Sequence, residues 1–241
     1  MKIKLFTLPN LLTLSNLMCG VFATVSVLKF GNLTVALWFI VAAAVCDFFD
    51  GFVARLLHCS SPIGGELDSL ADMVSFGVVP SVVAFAMFST AELPANMPAW
   101  MRTAGSVLCF SVAAFSALRL AKFNIDDTQH TEFEGLPTPA CALFFLSLGY
   151  LSENATIHFS DTMPLIALAM GLMLISPIRM FALKFKGFGW KGNELRYLFI
   201  LVSAVLCVFM QVYAVPVIVI LYVMISSIRW VYTTMLHPQS K

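Results

Sequence analysis

The sequence predicts an all-α fold, a polytopic integral membrane bundle of about eight transmembrane helices. Two observations carry that expectation. The chain of 241 residues is 60% hydrophobic and only 11% charged, whereas a soluble domain carries about 25% charged residues. Its apolar residues also fall into runs near the ~20 residues that a bilayer-spanning helix needs. Together these runs leave only short connections, so no sizeable soluble domain accompanies the membrane part, and residues 1–241 are expected to form a single integral membrane domain.

The first run, 9–29, follows Met1-Lys2-Ile3-Lys4. A basic start before an apolar stretch resembles a signal peptide, but the stretch continues past Val27 and further spans follow, which favours a first transmembrane helix over a cleaved leader. Gly, Pro or charged residues then separate runs at 34–57, 67–90, 99–123, 138–152, 161–183, 196–212 and 214–235. The fifth is short for a crossing and calls for tilt, burial against other helices or local thinning. Eight spans with the N-terminus inside place Lys2, Lys4, Arg55, Arg119, Lys122, Arg179, Lys184, Lys186, Lys191, Arg196, Arg229 and Lys241 on the cytoplasmic side. Only Lys29 and Arg102 fall outside, the bias that orients membrane proteins. Both termini are therefore expected in the cytoplasm. Losing the fifth span would put Arg179 to Arg196 on the wrong side.

A formal net charge of +1 gives no argument for nucleic acid. The six cysteines lack CxxC spacing and sit mostly in apolar runs, where a thiol is a small hydrophobe, so neither disulfides nor a zinc site is indicated. His58, His130, His158 and His237 are isolated at loops or ends. Two polar connections stand out on the cytoplasmic side, Asn124 to Gly135 and the basic Lys184 to Arg196. The second reads as a loop near anionic headgroups.

The chemistry lies in four acids. Residues 46–55 read Cys-Asp-Phe-Phe-Asp-Gly-Phe-Val-Ala-Arg, and helical spacing puts Asp47, Asp50, Gly51 and Ala54 on one face, with the phenylalanines turned elsewhere. The third run opens Gly64-Gly-Glu-Leu-Asp-Ser-Leu-Ala-Asp, so Asp68 and Asp72 also share a face. An aspartate at mid-bilayer costs roughly 2.5–3.5 kcal/mol, and four on facing helices repel one another. A divalent cation answers both problems. Oxygen-only ligands favour Mg²⁺ or Mn²⁺ over Zn²⁺, and four aspartates suit a pair of ions clamping a pyrophosphate. Acidic residues are ordinary at a helix start, and that reading suffices for Glu66. It fails for Asp47 and Asp50, which lie where the helix dipole opposes them. Small side chains at Gly51 and Ala54 let a bulky group approach the backbone.

Asp47-x2-Asp50-Gly51-x2-Ala54-Arg55-x8-Gly64-x3-Asp68-x3-Asp72 resembles, at every fixed position, the signature of the CDP-alcohol phosphatidyltransferase family. Further segments resemble the branch whose members make phosphatidylserine. They begin with Pro9-Asn10-Leu-Leu-Thr13-Leu-Ser-Asn16 and Leu67-Asp-Ser-Leu-Ala-Asp-Met-Val-Ser75-Phe-Gly77. Ala117-Leu-Arg119-Leu-Ala-Lys-Phe-Asn124 and Phe133-Glu-Gly135-Leu-Pro137-Thr-Pro139 complete the set. The resemblance implies transfer of the phosphatidyl group from CDP-diacylglycerol, a membrane lipid, to L-serine with release of CMP. It also implies a six-helix family core at 8–185 followed by a C-terminal helix pair at 196–235. Homodimers are typical of the family, although no span here carries a GxxxG face.

By the same resemblance Asp47, Asp50 and Asp68 hold metal, and Asp72 is the general base and a metal contact. Gly51, Ala54 and Gly64 shape the CDP pocket, with Asn10 and Thr13 of the first helix beside them. Arg55 reads either as a phosphate contact or as a positive-inside helix end. Arg119 and Asn124 read either as an acceptor or phosphate site or as a snorkelling arginine and a helix C-cap. Two other functions stay open on the residues: the same chemistry with glycerol 3-phosphate or an inositol phosphate as acceptor, and cation transport. Phosphorylated acceptors would demand more cationic side chains, and a transporter would leave Gly51 and Ala54 without a role.

Overall fold

The computed structural model describes residues 5–59, 61–94, 96–126, 132–154, 160–181, 189–190 and 192–236. Two helices open the chain as an antiparallel hairpin. In α1 (Leu8–Phe30) Thr7 caps the start, accepting from the Asn10 amide, and Pro9 lies in the first turn. Gly31 ends it at φ 62°, and its amide and that of Asn32 close onto Val27 and Ser26. Asn32 then caps α2 (Leu33–Leu56) through its side chain, 2.8 Å from the Val35 amide.

Ser61 and Pro62 start α3 (Pro62–Asp72), with the Ser61 hydroxyl accepting from the Gly64 amide at 3.2 Å. The helix widens to π geometry over Met73–Val78 and continues as α4 (Val79–Ser89). Pro80 follows at once. A proline has no amide to donate and its ring crowds the preceding turn, so a wider turn before it relieves both. This start lies five residues ahead of the expected 67, and Glu66 is therefore not in the first turn. The dipole account of Glu66 falls with it. Apolar content sets the expected boundary, whereas the Ser-Pro pair, a cap followed by an N1 proline, sets the real one.

α5 (Ala99–Cys109) and α6 (Ser111–Ile125) are interrupted only at Phe110. α7 (Thr138–Asn154) is buried nearly all round, through Phe144, Phe145, Leu146, Ser147 and Leu148. A helix apolar on every side and enclosed by others need not match the bilayer by itself, which resolves its shortness. At its far end Glu153 accepts from both the amide and the hydroxyl of Thr34, joining α7 to α2.

The sixth segment departs from expectation. Helix α8 (Met163–Leu174) stops nine residues short of 183, and Arg179–Phe181 forms a short strand, β2, antiparallel to β1 (Glu132–Glu134). Pro177 explains the stop: it cannot continue the helical hydrogen bonds, and it pushes Ser176 out of helical conformation. The connection at Asn124 to Gly135 thus contains the end of α6 and a strand. Lys184, Lys186 and Lys191 of the basic stretch lie outside the described residues, as do His130, His158 and His237.

The chain ends in α9 (Glu194–Met210) and α10 (Ala214–Leu236), which are joined by a turn where Gln211 sits at φ 49°. Helix thus fills nearly all of every expected segment but the sixth, where α8 covers only Met163–Leu174. Among the described residues, five stretches are long and apolar enough to cross a membrane by length and composition: 8–30, 33–56, 62–89, 99–125 and 194–234, the last containing both α9 and α10. Large apolar side chains such as Trp38, Phe48, Val107 and Phe209 are exposed, as lipid-facing residues of a multi-pass membrane protein are.

Candidate active site

The site is assembled at one end of the bundle, where α2 ends and α1 and α3 begin. Asp47 and Asp50, one turn apart on α2, meet Asp68 of α3, and one carboxylate oxygen from each lies within 4.8 Å of the others. Phe48, Phe49 and Phe52 point away and are exposed. Asp72 stands beside this trio, one helical turn beyond Asp68 and directly before the π segment. The two expected pairs therefore converge.

Helix α1 supplies the neutral donors. Its buried face carries Asn10, Thr13, Asn16 and Gly20, a stripe at helical spacing. The Thr13 hydroxyl donates to Asp50 Oδ2 at 2.6 Å, and Asn16 Nδ2 donates to Asp72 Oδ1 at 3.1 Å. Asn16 in turn accepts, on its backbone oxygen, the Ser75 hydroxyl at 3.0 Å. That contact requires Gly20, since a Cβ there would stand 2.5 Å from Ser75 Oγ and 2.9 Å from its Cα. The π turn and the glycine thus bring α1 within reach of Asp72.

No lysine, arginine or histidine forms an ion pair with these carboxylates among the described residues. Asp68 Oδ1 is buried without a hydrogen-bond partner there. Converging carboxylates with an unsatisfied oxygen are costly in low dielectric, and the donor set is oxygen only. These residues fit a hard divalent cation.

Beside the trio lies a cavity of about 170 Å³, lined by Pro9, Asn10, Thr13, Asp50, Gly51, Ala54, Cys59, Ser61, Gly64, Gly65 and Asp68. Gly64 keeps it open, because a Cβ would meet Ser61 Oγ at 3.3 Å and Asn10 Oδ1 at 3.4 Å. Asn10, Thr13, Gly51, Ala54 and Gly64 are thus gathered as the sequence suggests. Arg55 is exposed and lines no part of the cavity; its guanidinium lies 3.9 Å from where a Gly51 Cβ would stand. Sequence reasoning passes over Ser61, Cys59, Gly65 and Asn16 as site residues. The Ser61-Pro62 cap signal and the polar stripe of α1 were the signals for two of them.

Arg119 and Asn124 lie apart from that cavity. Asn124 is inside α6, not its cap, and is exposed; its amide nitrogen donates to Ser69 Oγ at 2.9 Å, tying α6 to α3. Arg119 is half-buried: it makes a long contact of 3.5 Å to the Thr138 hydroxyl, and its Nε is buried without a hydrogen-bond partner among the described residues. A second cavity of about 200 Å³ lies against it, with Lys122, Glu134 and Ser176 among the lining residues. Lys122 and Glu134 form an ion pair at 2.6 Å.

Asn16→Ala is expected to lower kcat roughly ten- to hundredfold, since a hydrogen bond to a charged group is worth about 1.5–3 kcal/mol. Steady-state rates at saturating substrates check it, and an unchanged kcat rejects the role of Asn16 in holding Asp72.

A family profile described as CDP-alcohol phosphatidyltransferase matches residues 6–177, which include both aspartate pairs, the α1 stripe and Arg119. A Bacillus subtilis (strain 168) protein named CDP-diacylglycerol–serine O-phosphatidyltransferase is 35% identical over 143 residues, 59% of this chain and 75% of its own. A Helicobacter pylori (strain 26695) protein of the same name is 29% identical over 233 residues, 95% of this chain and 92% of its own. One from Mycobacterium leprae is 43% identical over 121 residues, 47% of this chain and 37% of its own. With the profile spanning the whole acidic site and well over half the chain, this protein belongs to the CDP-alcohol phosphatidyltransferase family.

Proposed function

We propose that this membrane transferase moves the phosphatidyl group of CDP-diacylglycerol to L-serine, forming phosphatidylserine and CMP. The observation that carries the choice of acceptor is the likeness, along almost the whole of both chains, to the Helicobacter pylori protein whose name states that reaction. The site's chemistry agrees. Of the two described cations that line the second cavity, Lys122 is engaged by Glu134 and Arg119 has no ion pair, which suits one carboxylate better than a phosphate dianion.

In this reading the donor enters laterally with its acyl chains among the helices. Its cytidine end lies in the cavity of Gly51, Ala54, Gly64, Asn10 and Thr13. Asp47, Asp50 and Asp68 hold divalent metal, Mg²⁺ or Mn²⁺, as a pair of ions with a further contact from Asp72. Bound there, such cations supply Lewis-acid polarisation of the pyrophosphate and neutralise charge on the departing CMP. Asp72 takes the proton of the serine hydroxyl as that oxygen attacks the phosphorus bearing the diacylglycerol. The new P–O bond forms as the bond to CMP breaks. Asn16 orients the base, Thr13 orients Asp50, and Arg119 receives the serine carboxylate. The cytoplasmic placement of the site rests on the excess of Lys and Arg that an eight-span reading of the sequence puts on that side.

A panel of alcohols with one radiolabelled donor tests the proposal on purified protein in mixed micelles. L-Serine is expected to give labelled phosphatidylserine, with glycerol 3-phosphate and inositol phosphate giving little product. Turnover of either phosphorylated acceptor at the serine rate or above rejects serine as the substrate.

A further inference from the structure

The C-terminal helix pair lies beyond the region matched by the family profile, which ends at 177, yet it reaches the side of the site where Arg119 lies. The Tyr222 hydroxyl of α10 donates to the Phe181 carbonyl of β2 at 2.9 Å, and both residues are buried. The tyrosine ring also packs edge-on against Phe181 with centroids 4.8 Å apart, and Phe199 of α9 closes the cluster at 5.4 Å from Phe181.

From β2 the contact passes to the segment ahead of α7. Phe181 stands opposite Glu132 and Arg179 opposite Glu134 in the two-stranded ladder. Just beyond β1, the Gly135 amide donates to Ile178 and the Leu136 amide to Met173, each at 3.0 Å. Gly135 takes φ 77°, and any Cβ there would lie 2.1 Å from the Leu174 oxygen. The segment ends at Thr138, whose hydroxyl meets Arg119. Glu134 meanwhile holds Lys122 one turn along α6 from Arg119. A three-residue ladder is far below the size that is stable by itself, so what fixes it is the aromatic cluster behind it.

We propose that β2, α9 and α10 form a brace that holds the segment from β1 to Thr138 against Arg119, and that Tyr222 is thereby a positioning residue for the acceptor alcohol. This rests on the reading that the acceptor meets Arg119. It gives the two helices outside the family profile a role in acceptor binding, separate from the donor cavity between α1, α2 and α3.

The test compares wild type with Tyr222→Phe, which keeps the ring and loses the hydroxyl, and with Tyr222→Leu, which loses both. KM for each substrate and amide hydrogen exchange are measured, using whichever alcohol the wild type consumes. Tyr222→Phe is expected to raise the acceptor KM about two- to tenfold, the worth of one hydrogen bond, and Tyr222→Leu to raise it further. The donor KM stays unchanged. The Gly135 and Leu136 amides exchange faster, while that of Gly31, at the other end of the bundle, does not. Should Tyr222→Leu fail to fold, Tyr222→Phe carries the comparison. The proposal is overturned if exchange at 135–136 is unchanged, if it quickens without any change in acceptor KM, or if both KM values rise together. A wild type that ignores serine but turns over another alcohol rejects serine alone, and the split between the two KM values still decides the brace.

Discussion

Asp72→Asn is expected to lower the rate of phosphatidyl transfer by about 10²–10⁴-fold, the contribution of the general base proposed above, without unfolding the protein. The substitution is nearly isosteric. The oxygen that accepts from Asn16 at 3.1 Å is retained, and one of several mutually repelling acids is removed from a site with no ion-paired cation among the described residues. Thermal stability in detergent should therefore hold or rise while turnover collapses. Circular dichroism melts alongside initial rates at saturating metal separate these two effects. A variant that melts like wild type and works like wild type removes Asp72 from the proton transfer and leaves the aspartate trio without an identified base.

Why Asp72 differs from its three companions was only partly legible in the sequence. The pairing of the aspartates is pure helical spacing, and α2 and α3 present them as that spacing requires. The choice of partner for each acid depends on how closely a third helix approaches, and a one-dimensional pattern does not encode that distance. It is set by the π turn at Met73–Val78 and by Gly20 against Ser75, two features that carry no hydropathy signal. The same blindness explains the ends of elements. The Ser61-Pro62 start and the break before Pro177 are matters of backbone donors and steric fit, and apolar content runs straight through both. The clasp of β1 on β2 joins residues nearly fifty positions apart, and three-residue strands leave no periodicity to read.

The aspartate trio leads to an expectation that does not depend on the reaction. In a metal-free buffer, Asp47, Asp50 and Asp68 hold carboxylate oxygens within 4.8 Å of one another, so the folded state is burdened by their repulsion. A cation that binds only the folded state stabilises it in proportion to its occupancy, by about 2.7 kcal/mol at a hundred times Kd. Wild-type protein in detergent should accordingly melt higher as Mn²⁺ or Mg²⁺ is added and lose that gain with a chelator. Asp68→Asn removes the proposed ligand whose Oδ1 is buried without a hydrogen-bond partner among the described residues. Replacing a group that merely orients a metal ligand costs about 10–100-fold in affinity, so losing the ligand itself should cost more than about a hundredfold, with transfer activity falling at least as far at fixed metal. The two melts cross in consequence: in chelator the variant is at least as stable as wild type, and in millimolar Mn²⁺ it is less so. A melting temperature indifferent to metal in the wild type, or raised equally in both proteins, would place the cation elsewhere and leave the convergence of these acids unexplained.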